Sequence, residues 1–362
     1  MARVVVAMSG GVDSSVAAAL LANDVGRSGD EVIGVWMRLH PDGGEGYEQS
    51  RSCCSPDAHD DARRVAQLVG IPFFALNLER SFEERVIDAF ADGYLAGATP
   101  NPCQACNQYI KFDELLRRGL AAYGADQVAT GHYARVERRD GHFRLLRAAD
   151  ANKDQTYFLW VLDQGQLART RFPLGELTKP EVRRIAAELQ LPTADKPESQ
   201  EICFVPAGNY RELLAERRGY LGEPGPIVDA NGAQVGLHSG YAHYTVGQRH
   251  GLGVALGEPV FVREVRPASN TVVVGRRDEI TARRFAVEAR HFVAGEPPAE
   301  RFAASVRIRH RGTEVRCEVT LVGDDRLLVE TAEPVWAPAP GQAAVLYDGE
   351  ECLGGGRIAR AA

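Results

Sequence analysis

The chain has 362 residues, 44% of them hydrophobic and 25% charged, with seven cysteines and a formal net charge of −7. That length fits two or three domains of about 150 residues each, and the acidic balance excludes an indiscriminate polyanion binder while leaving room for a local basic face. Seven cysteines in so long a chain exclude a small disulfide-stapled scaffold and point to a reducing cytoplasm; no apolar run reaches the ~20 residues of a membrane span, and no signal peptide precedes the first strand.

The first predicted element is the apolar strand Val4-Val5-Val6-Ala7-Met8, which feeds the turn Ser9-Gly10-Gly11-Val12-Asp13-Ser14-Ser15 and then a helix beginning Val16-Ala17-Ala18-Ala19. Glycines let a backbone adopt conformations a Cβ forbids and approach a ligand closely. A helix start behind them offers N–H groups and a positive dipole end to a phosphate. The turn lacks the Gly-Lys-Ser/Thr ending of a Walker loop and the G-x-G-x-x-G of a dinucleotide fingerprint. SGGVDS resembles instead the pyrophosphate loop of ATP pyrophosphatases, which cleave ATP between the α and β phosphates and adenylate an acceptor. Asp13 is a candidate oxygen ligand for Mg²⁺ beside the triphosphate.

Further strands are expected at Glu31–Met37, Pro72–Leu78 and Gln127–Thr130, and helices at 56–70, 112–123 and up to Gln190. Ser81-Phe82-Glu83-Glu84 and Thr178-Lys179-Pro180-Glu181 read as capping boxes opening helices. Strands alternating with helices imply an α/β fold with a doubly wound parallel sheet over residues 1–206, with ligands beyond the carboxyl ends of the strands. Thr130-Gly131-His132-Tyr133 follows such a strand end. Glycine and proline then become dense, and a small mixed domain is expected at 207–281. From 282 to 362 the pattern is all-β, with strands near Phe285–Phe292, Phe302–Ile308, Val315–Leu321, Leu327–Glu330 and Ala343–Tyr347, as in a closed barrel.

Thr99-Pro100-Asn101-Pro102-Cys103-Gln104-Ala105-Cys106-Asn107 reads as a proline-bounded loop carrying C-x-x-C, a metal or redox device. Cys203 lies in Ser199-Gln200-Glu201-Ile202-Cys203-Phe204, near a domain edge. Adjacent Cys53 and Cys54 are poorly placed to share one metal and read as packing residues. Ala151-Asn152-Lys153-Asp154-Gln155-Thr156 opens a helix with a polar triplet that could meet a substrate. Arg301, Arg307, Arg309, His310, Arg311 and Arg316 crowd one stretch of the barrel. Strand alternation would put Arg307, Arg309 and Arg311 on one face, a phosphate track that positions RNA without reading its sequence, extended by Gln248-Arg249-His250.

Taken in order, SGGVDSS at 9–15, TPNPCxxCN with Lys111-Phe112, ATGHYAR at 129–135, KDQTYFL at 153–159, ICF at 202–204, YTVGQRHGLG at 244–253 and PGQAAVLY at 340–347 resemble the tRNA-specific 2-thiouridylases (MnmA/TrmU family) over essentially the whole chain. The resemblance implies a pyrophosphatase-type catalytic domain, a small central domain and a tRNA-binding β-barrel. It implies thiolation at C2 of the wobble uridine in the tRNAs for Lys, Glu and Gln, after ATP adenylates the uridine O2. Carried over by position, Ala7, Met8, Ser9, Gly10, Gly11, Val12, Asp13, Ser14, Met37 and Gly131 would bind ATP. Asn101, Pro102 and Cys103 would meet the target base. Cys106 would be the nucleophile and Cys203 the persulfide carrier. His132, Lys153, Asp154, Gln155, Arg309, His310 and Gln342 would contact tRNA or shape its site.

Two positions depart from the family pattern. Well-known members carry Asp, with an acid/base role, where this chain has Cys103, and a thiol with a reference pKa near 8.5 cannot simply replace a carboxylate near 3.9. Many members carry Tyr where this chain has His310. The extra thiol raises an expectation of its own, that Cys103, Cys106 and Cys203 hold a [4Fe–4S] cluster whose fourth iron takes up sulfide; the competing route keeps a persulfide on Cys203. A cysteine desulfurase or sulfur carrier, or inorganic sulfide for the cluster route, would be the donor, and a monomer is expected. The rivals are another ATP pyrophosphatase, such as a synthetase, for which no glutaminase-like segment is evident, and an RNA-binding module with structural zinc, which leaves SGGVDS unexplained.

Overall fold

The computed structural model describes residues 2–40, 55–197, 202–205 and 209–360. Cys53, Cys54 and the stretch Ser199-Gln200-Glu201 lie outside the described residues. Strands β1 (Arg3–Ala7), β2 (Glu31–Arg38), β3 (Phe73–Asn77) and β4 (Gln127–Ala129) join the two-residue β7 (Thr170–Arg171) in a parallel sheet of order β3-β2-β1-β4-β7. Side chains alternate across a strand, and β1 shows the result. Val4 and Val6 bury on one face with Val16, Ala62, Val65 and Val182. Val5 and Ala7 bury on the other with Phe82, Phe90, Ile110 and Leu115. Helices therefore cover both faces, as the alternating pattern predicts. The strand order reverses between β1 and β4, and the crevice at such a switch point is where open α/β sheets bind ligands.

Two local expectations need correction. Ser81 opens no helix. The helical run begins at Glu79, where Asn77 Oδ1 accepts the Glu79 N–H at 3.0 Å, and Ser81, already inside the first turn, donates to Glu114. The C-x-x-C segment is likewise not a loop. Asn101 caps a helix that starts Pro102–Ala105, widens into a π-helix over Cys106–Glu114 and continues as Leu115–Tyr123. Proline suits the first helical position because its missing N–H has no partner there anyway. The Thr178 and Glu181 capping box is present and opens the helix Lys179–Glu188.

A hairpin follows the nucleotide-side strand end, β5 (Arg135–Arg139) and β6 (His142–Leu146). Farther on, β8 (Gly225–Val228), β9 (Gln234–His238), β10 (Phe261–Arg266) and β11 (Thr271–Gly275) make a mixed sheet of order β10-β11-β8-β9. The last strands are β12 (Thr281–Phe292), β13 (Arg301–Arg307), β14 (Val315–Val322), β15 (Arg326–Trp336), β16 (Ala343–Asp348) and β17 (Glu351–Ile358). They close as a six-stranded antiparallel barrel through β12–β17 pairing, and β6 and β5 add to its sheet at β17. Strand β17 escapes pattern reading because of Gly354-Gly355-Gly356. A Cβ on Gly354 would stand 2.1 Å from the His291 carbonyl oxygen across the β12–β17 seam, and Gly354 has φ +132°. The closure seam is too tight for side chains. Among the described residues no helix is long and apolar enough to cross a membrane.

Candidate active site

The SGGVDS turn lies between β1 and the helix Val12–Ser28. Gly10 has φ +68°, and a Cβ there would stand 2.1 Å from the Ala58 carbonyl oxygen, so the position demands glycine twice over. The turn is braced internally. Ser14 Oγ donates to the Gly11 carbonyl at 3.1 Å and accepts the Ser9 N–H at 3.1 Å, and Ser15 Oγ donates to Gly11 at 2.8 Å. Ser14 and Ser15 are buried by this work, whereas Ser9, Gly11 and Asp13 are partly exposed. Gly131, after β4, packs on the helix start, where a Cβ would stand 2.6 Å from the Ser14 nitrogen. Ala7, Met8, Val12 and Met37 are buried, and Met37 packs in the core with Ala7. The first turn of a helix leaves N–H groups without intrahelical partners, and the glycines bring them within reach of a phosphate.

Asp13 is held from two other segments. Lys179 Nζ meets both its oxygens, at 2.7 and 2.8 Å, and the Tyr133 hydroxyl donates to Oδ1 at 2.7 Å. Neither partner is evident from the turn itself. A signal was present all the same, since Lys179 is the first residue of its helix, where the helix dipole disfavours a cation.

His132 is buried. Thr130 Oγ1 lies 2.7 Å from Nδ1 and Lys111 Nζ 3.4 Å from Nε2. An ammonium only donates, so Nε2 accepts and the proton sits on Nδ1, aimed at Thr130. Burial, then the Lys111 charge, pushes the imidazole pKa well below its usual value, so His132 is neutral. Lys111 lies on the π-helical stretch that begins with Cys106. The cysteine helix and the strand end under the nucleotide turn thus meet at His132, which Lys111 contacts and whose ring lies 5.8 Å from that of Phe112.

Asn101 Oδ1 accepts the N–H groups of Cys103 and Gln104 at 3.2 and 3.4 Å. Pro102 is buried, Cys103 is exposed, and Cys106 is partly buried. Cys106 and Cys203 both pack against the core cluster that contains Phe82, Phe90 and Phe204; Cys103 is not part of it. Among the described residues no group of three or more His, Cys, Asp or Glu side chains is placed to hold a metal ion. The three thiols therefore do not form the donor set that the expected [4Fe–4S] cluster needs.

The polar triplet divides. Lys153 is partly exposed. Gln155 Oε1 accepts the Tyr133 N–H at 2.8 Å. Asp154, only 3% exposed, accepts from Thr156 at 2.9 Å and faces Arg147 and Arg307 at 3.5 Å each. Its carboxylate is held as an internal strut. The basic stretch also departs from expectation. Strand β13 ends at Arg307, so Arg307, Arg309 and Arg311 do not share one strand face. Arg307 is drawn inward onto Asp154, Glu314 and the Tyr347 ring. Arg309 lies 4.5 Å over the Trp336 ring and donates to the Ala337 carbonyl. His310 packs 4.5 Å from the Phe158 ring, and burial lowers its pKa. Arg311, Arg249 and His250 are exposed, and Gly247, two residues before Arg249, lies against Arg309 and Trp336. Gln342 reaches back to the cysteine segment, donating to the Thr99 carbonyl at 2.7 Å, while the Thr99 N–H donates to Pro340 at 2.7 Å.

Three family profiles match the chain in order. One described as a tRNA methyl transferase HUP domain covers residues 2–207, one described as a tRNA methyl transferase PRC-barrel domain covers 212–276, and one described as an aminomethyltransferase beta-barrel domain covers 282–358. A tRNA-specific 2-thiouridylase MnmA of Carboxydothermus hydrogenoformans is 50% identical over 98% of this chain and 97% of its own. That of Chloroflexus aggregans is 49% identical over 99% of each. Among solved structures, the U34-tRNA thiolase NcsA from Methanococcus maripaludis with its [4Fe-4S] cluster aligns over 61% of this chain and 65% of its own, at 18% identity and a TM-score of 0.37. A likeness that slight carries nothing about metal content here. The profiles name domains after a methyl transfer, whereas the relatives that match end to end are named for thiolation.

Proposed function

The chain belongs to the tRNA-specific 2-thiouridylase family, and from that premise we propose that it is a tRNA-uridine 2-sulfurtransferase. It adenylates the O2 of the wobble uridine with ATP, then replaces that oxygen by sulfur, releasing pyrophosphate and AMP. The substrates are the tRNAs for Lys, Glu and Gln, in the cytoplasm. Residues 1–206 carry the chemistry, 282–362 grip the tRNA, and 207–281 lie between.

The observation that carries this reading is the Lys111 contact with His132. It joins the helix bearing Cys106 to the strand end bearing Gly131, which in turn lies on the nucleotide turn. A base activated by ATP at one place must meet sulfur at the other, and this contact ties together the elements that carry the two. The turn's backbone N–H groups would stabilise charge developing on the phosphates. Magnesium would arrive with the triphosphate and neutralise phosphate charge there; the one carboxylate at the turn, Asp13, is already engaged by Lys179 and Tyr133. The wobble base has to leave the anticodon stack to reach this site, as substrates of base-modifying enzymes do.

For sulfur we assign the persulfide route. Cys203 carries a persulfide from a desulfurase or sulfur carrier. Its terminal sulfur bonds to C2 as AMP leaves with the oxygen. The Cys106 thiolate then attacks Cys203 Sγ, which frees 2-thiouridine and leaves a Cys106–Cys203 disulfide for a cellular thiol to reduce. The packing of both cysteines against one core cluster supports the pair. No step is routed through an iron–sulfur cluster, since among the described residues no three such side chains are grouped to hold a metal.

The test is pyrophosphate release and 2-thiouridine formation in the presence of undermodified tRNA and a sulfur donor. Wild type should release pyrophosphate only with tRNA, and Asp13→Asn and Ser9→Ala should lose that release while remaining folded. Release independent of tRNA, or unimpaired in both variants, removes the assignment.

A further inference from the structure

Lys179 occupies a place that ordinary helix chemistry disfavours. It is the first residue of the helix Lys179–Glu188, at the positive end of the dipole, and it is only 7% exposed. Surface placement would let so long a cation reach water; here it is turned inward and ends on Asp13, with both carboxylate oxygens within 2.8 Å of Nζ. The start of its helix is itself fixed, since Thr178 and Glu181 form a capping box and the Lys179 N–H donates to Asp150 Oδ2 at 2.9 Å. The ammonium is therefore set in place before any ligand arrives.

Its partner explains the arrangement. Asp13 stands in the first turn of the helix behind the nucleotide turn, where a phosphate would sit. A carboxylate there repels an incoming polyanion, and in a partly desolvated site that repulsion is large. Tyr133 also donates to Asp13, but a hydroxyl orients the carboxylate without cancelling its charge. The Lys179 ammonium does both.

We propose that Lys179 is a positioning residue of the nucleotide site, which acts through Asp13. It fixes the carboxylate's direction and cancels its charge, so that the pyrophosphate portion of ATP can settle against the turn. The proposal rests on the reading of residues 9–14 as the ATP loop, and it names a residue that the loop motif does not contain.

The experiment measures equilibrium binding of ATP with Mg²⁺, of adenosine and of tRNA to the full chain, for wild type, Lys179→Met, Lys179→Arg and Tyr133→Phe. Lys179→Met should weaken ATP by about tenfold or more while adenosine and tRNA bind as before. Lys179→Arg should restore most of the ATP affinity, and Tyr133→Phe should cost less than Lys179→Met. Wild-type ATP affinity in Lys179→Met overturns the proposal. So does a parallel loss of ATP and adenosine binding that Lys179→Arg fails to rescue, which marks Lys179 as structural. If wild type itself binds no ATP, the loop assignment falls first and this proposal with it.

Discussion

Cys103 stands where the family pattern has an acid, and its surroundings decide what it can do in this chain. It is exposed, its own N–H is spent on the Asn101 cap, and it stays outside the cluster that Cys106 and Cys203 share. An exposed thiol one helical turn from Cys106 can lie close to the substrate without belonging to the sulfur relay. Cys106→Ser and Cys203→Ser should each abolish 2-thiouridine formation while leaving tRNA-dependent pyrophosphate release intact. Cys103→Ala should retain most of the thiolation and bind no iron, as measured by nucleoside mass analysis and metal content. Loss of thiolation in Cys103→Ala together with loss of iron would restore the cluster mechanism. The residues most legible in the sequence were those whose role is local. Gly10, Gly11 and the serines form their turn from neighbouring atoms, so spacing alone finds them. Asp13 was found as well, but not what it touches, because Lys179 and Tyr133 arrive from more than a hundred residues away in the chain. The partners of Asp154 were hidden for the same reason. A polar triplet at a helix start looks solvated until Arg147 and Arg307 close over its middle member.

The helix that bears the cysteines is the element whose form the sequence concealed. Pro100 and Pro102 bracket Asn101, and dense prolines suggest a loop. Proline at the first helical position is instead compatible with a helix, and Asn101 supplies the cap. The widened π-helical stretch Cys106–Glu114 carries Asn107, whose Nδ2 donates to the Phe158 carbonyl at 3.0 Å, and Lys111, which reaches His132. Gln104 adds a bond to the Tyr157 carbonyl at 3.3 Å. The cap fixes its start, and these contacts hold one face of this element toward the 156–159 helix and the end of β4. Asn101→Ala should cost about 1 kcal/mol of stability, the usual value of a lost N-cap, read as a lowered denaturation midpoint. It should lower thiolation more than pyrophosphate release, because the cap fixes the turn that carries Cys103 and Cys106 rather than the nucleotide. Equal loss of both activities would show that the cap supports the whole site. Strands β5, β6 and β17 were the other hidden elements. The hairpin is rich in charge and lacks clean alternation, and β17 is disguised by glycines that the barrel seam requires.

At the scale of the whole molecule, the arginines of the barrel separate into struts and exposed contacts. Arg147 and Arg307 converge on Asp154 and Glu314 beside the Tyr347 ring, which ties the start of the 156–159 helix to the barrel wall. Removing one partner of such a largely buried network leaves its carboxylates uncompensated, so Arg307→Ala should cost about 3 kcal/mol. Arg311, which is exposed, should behave in the opposite way. Arg311→Ala should leave stability unchanged and reduce the salt dependence of tRNA binding by about 0.7–0.9 in log–log slope, one phosphate's worth. Denaturation curves and binding isotherms across a salt series separate the two. A flattened slope in a stable Arg307→Ala variant would return that residue to the RNA face.

The core that holds this junction together draws on both ends of the chain. Phe112, Leu145, Tyr157, Leu159 and Leu162 are buried in one cluster with Val345, Tyr347 and Cys352, and β6 finds its outer neighbour only at Glu351 and Cys352. On the ribosome, Leu145 therefore emerges about two hundred residues before the strand that covers it. At 5–20 residues per second that is a delay of roughly 10–40 s, during which an unpaired strand edge and several aromatic side chains have no place to go. Nascent chains of this protein should be clients of ribosome-associated holding factors, and the cluster that joins the 156–159 helix to the barrel cannot close until the last strand has been made.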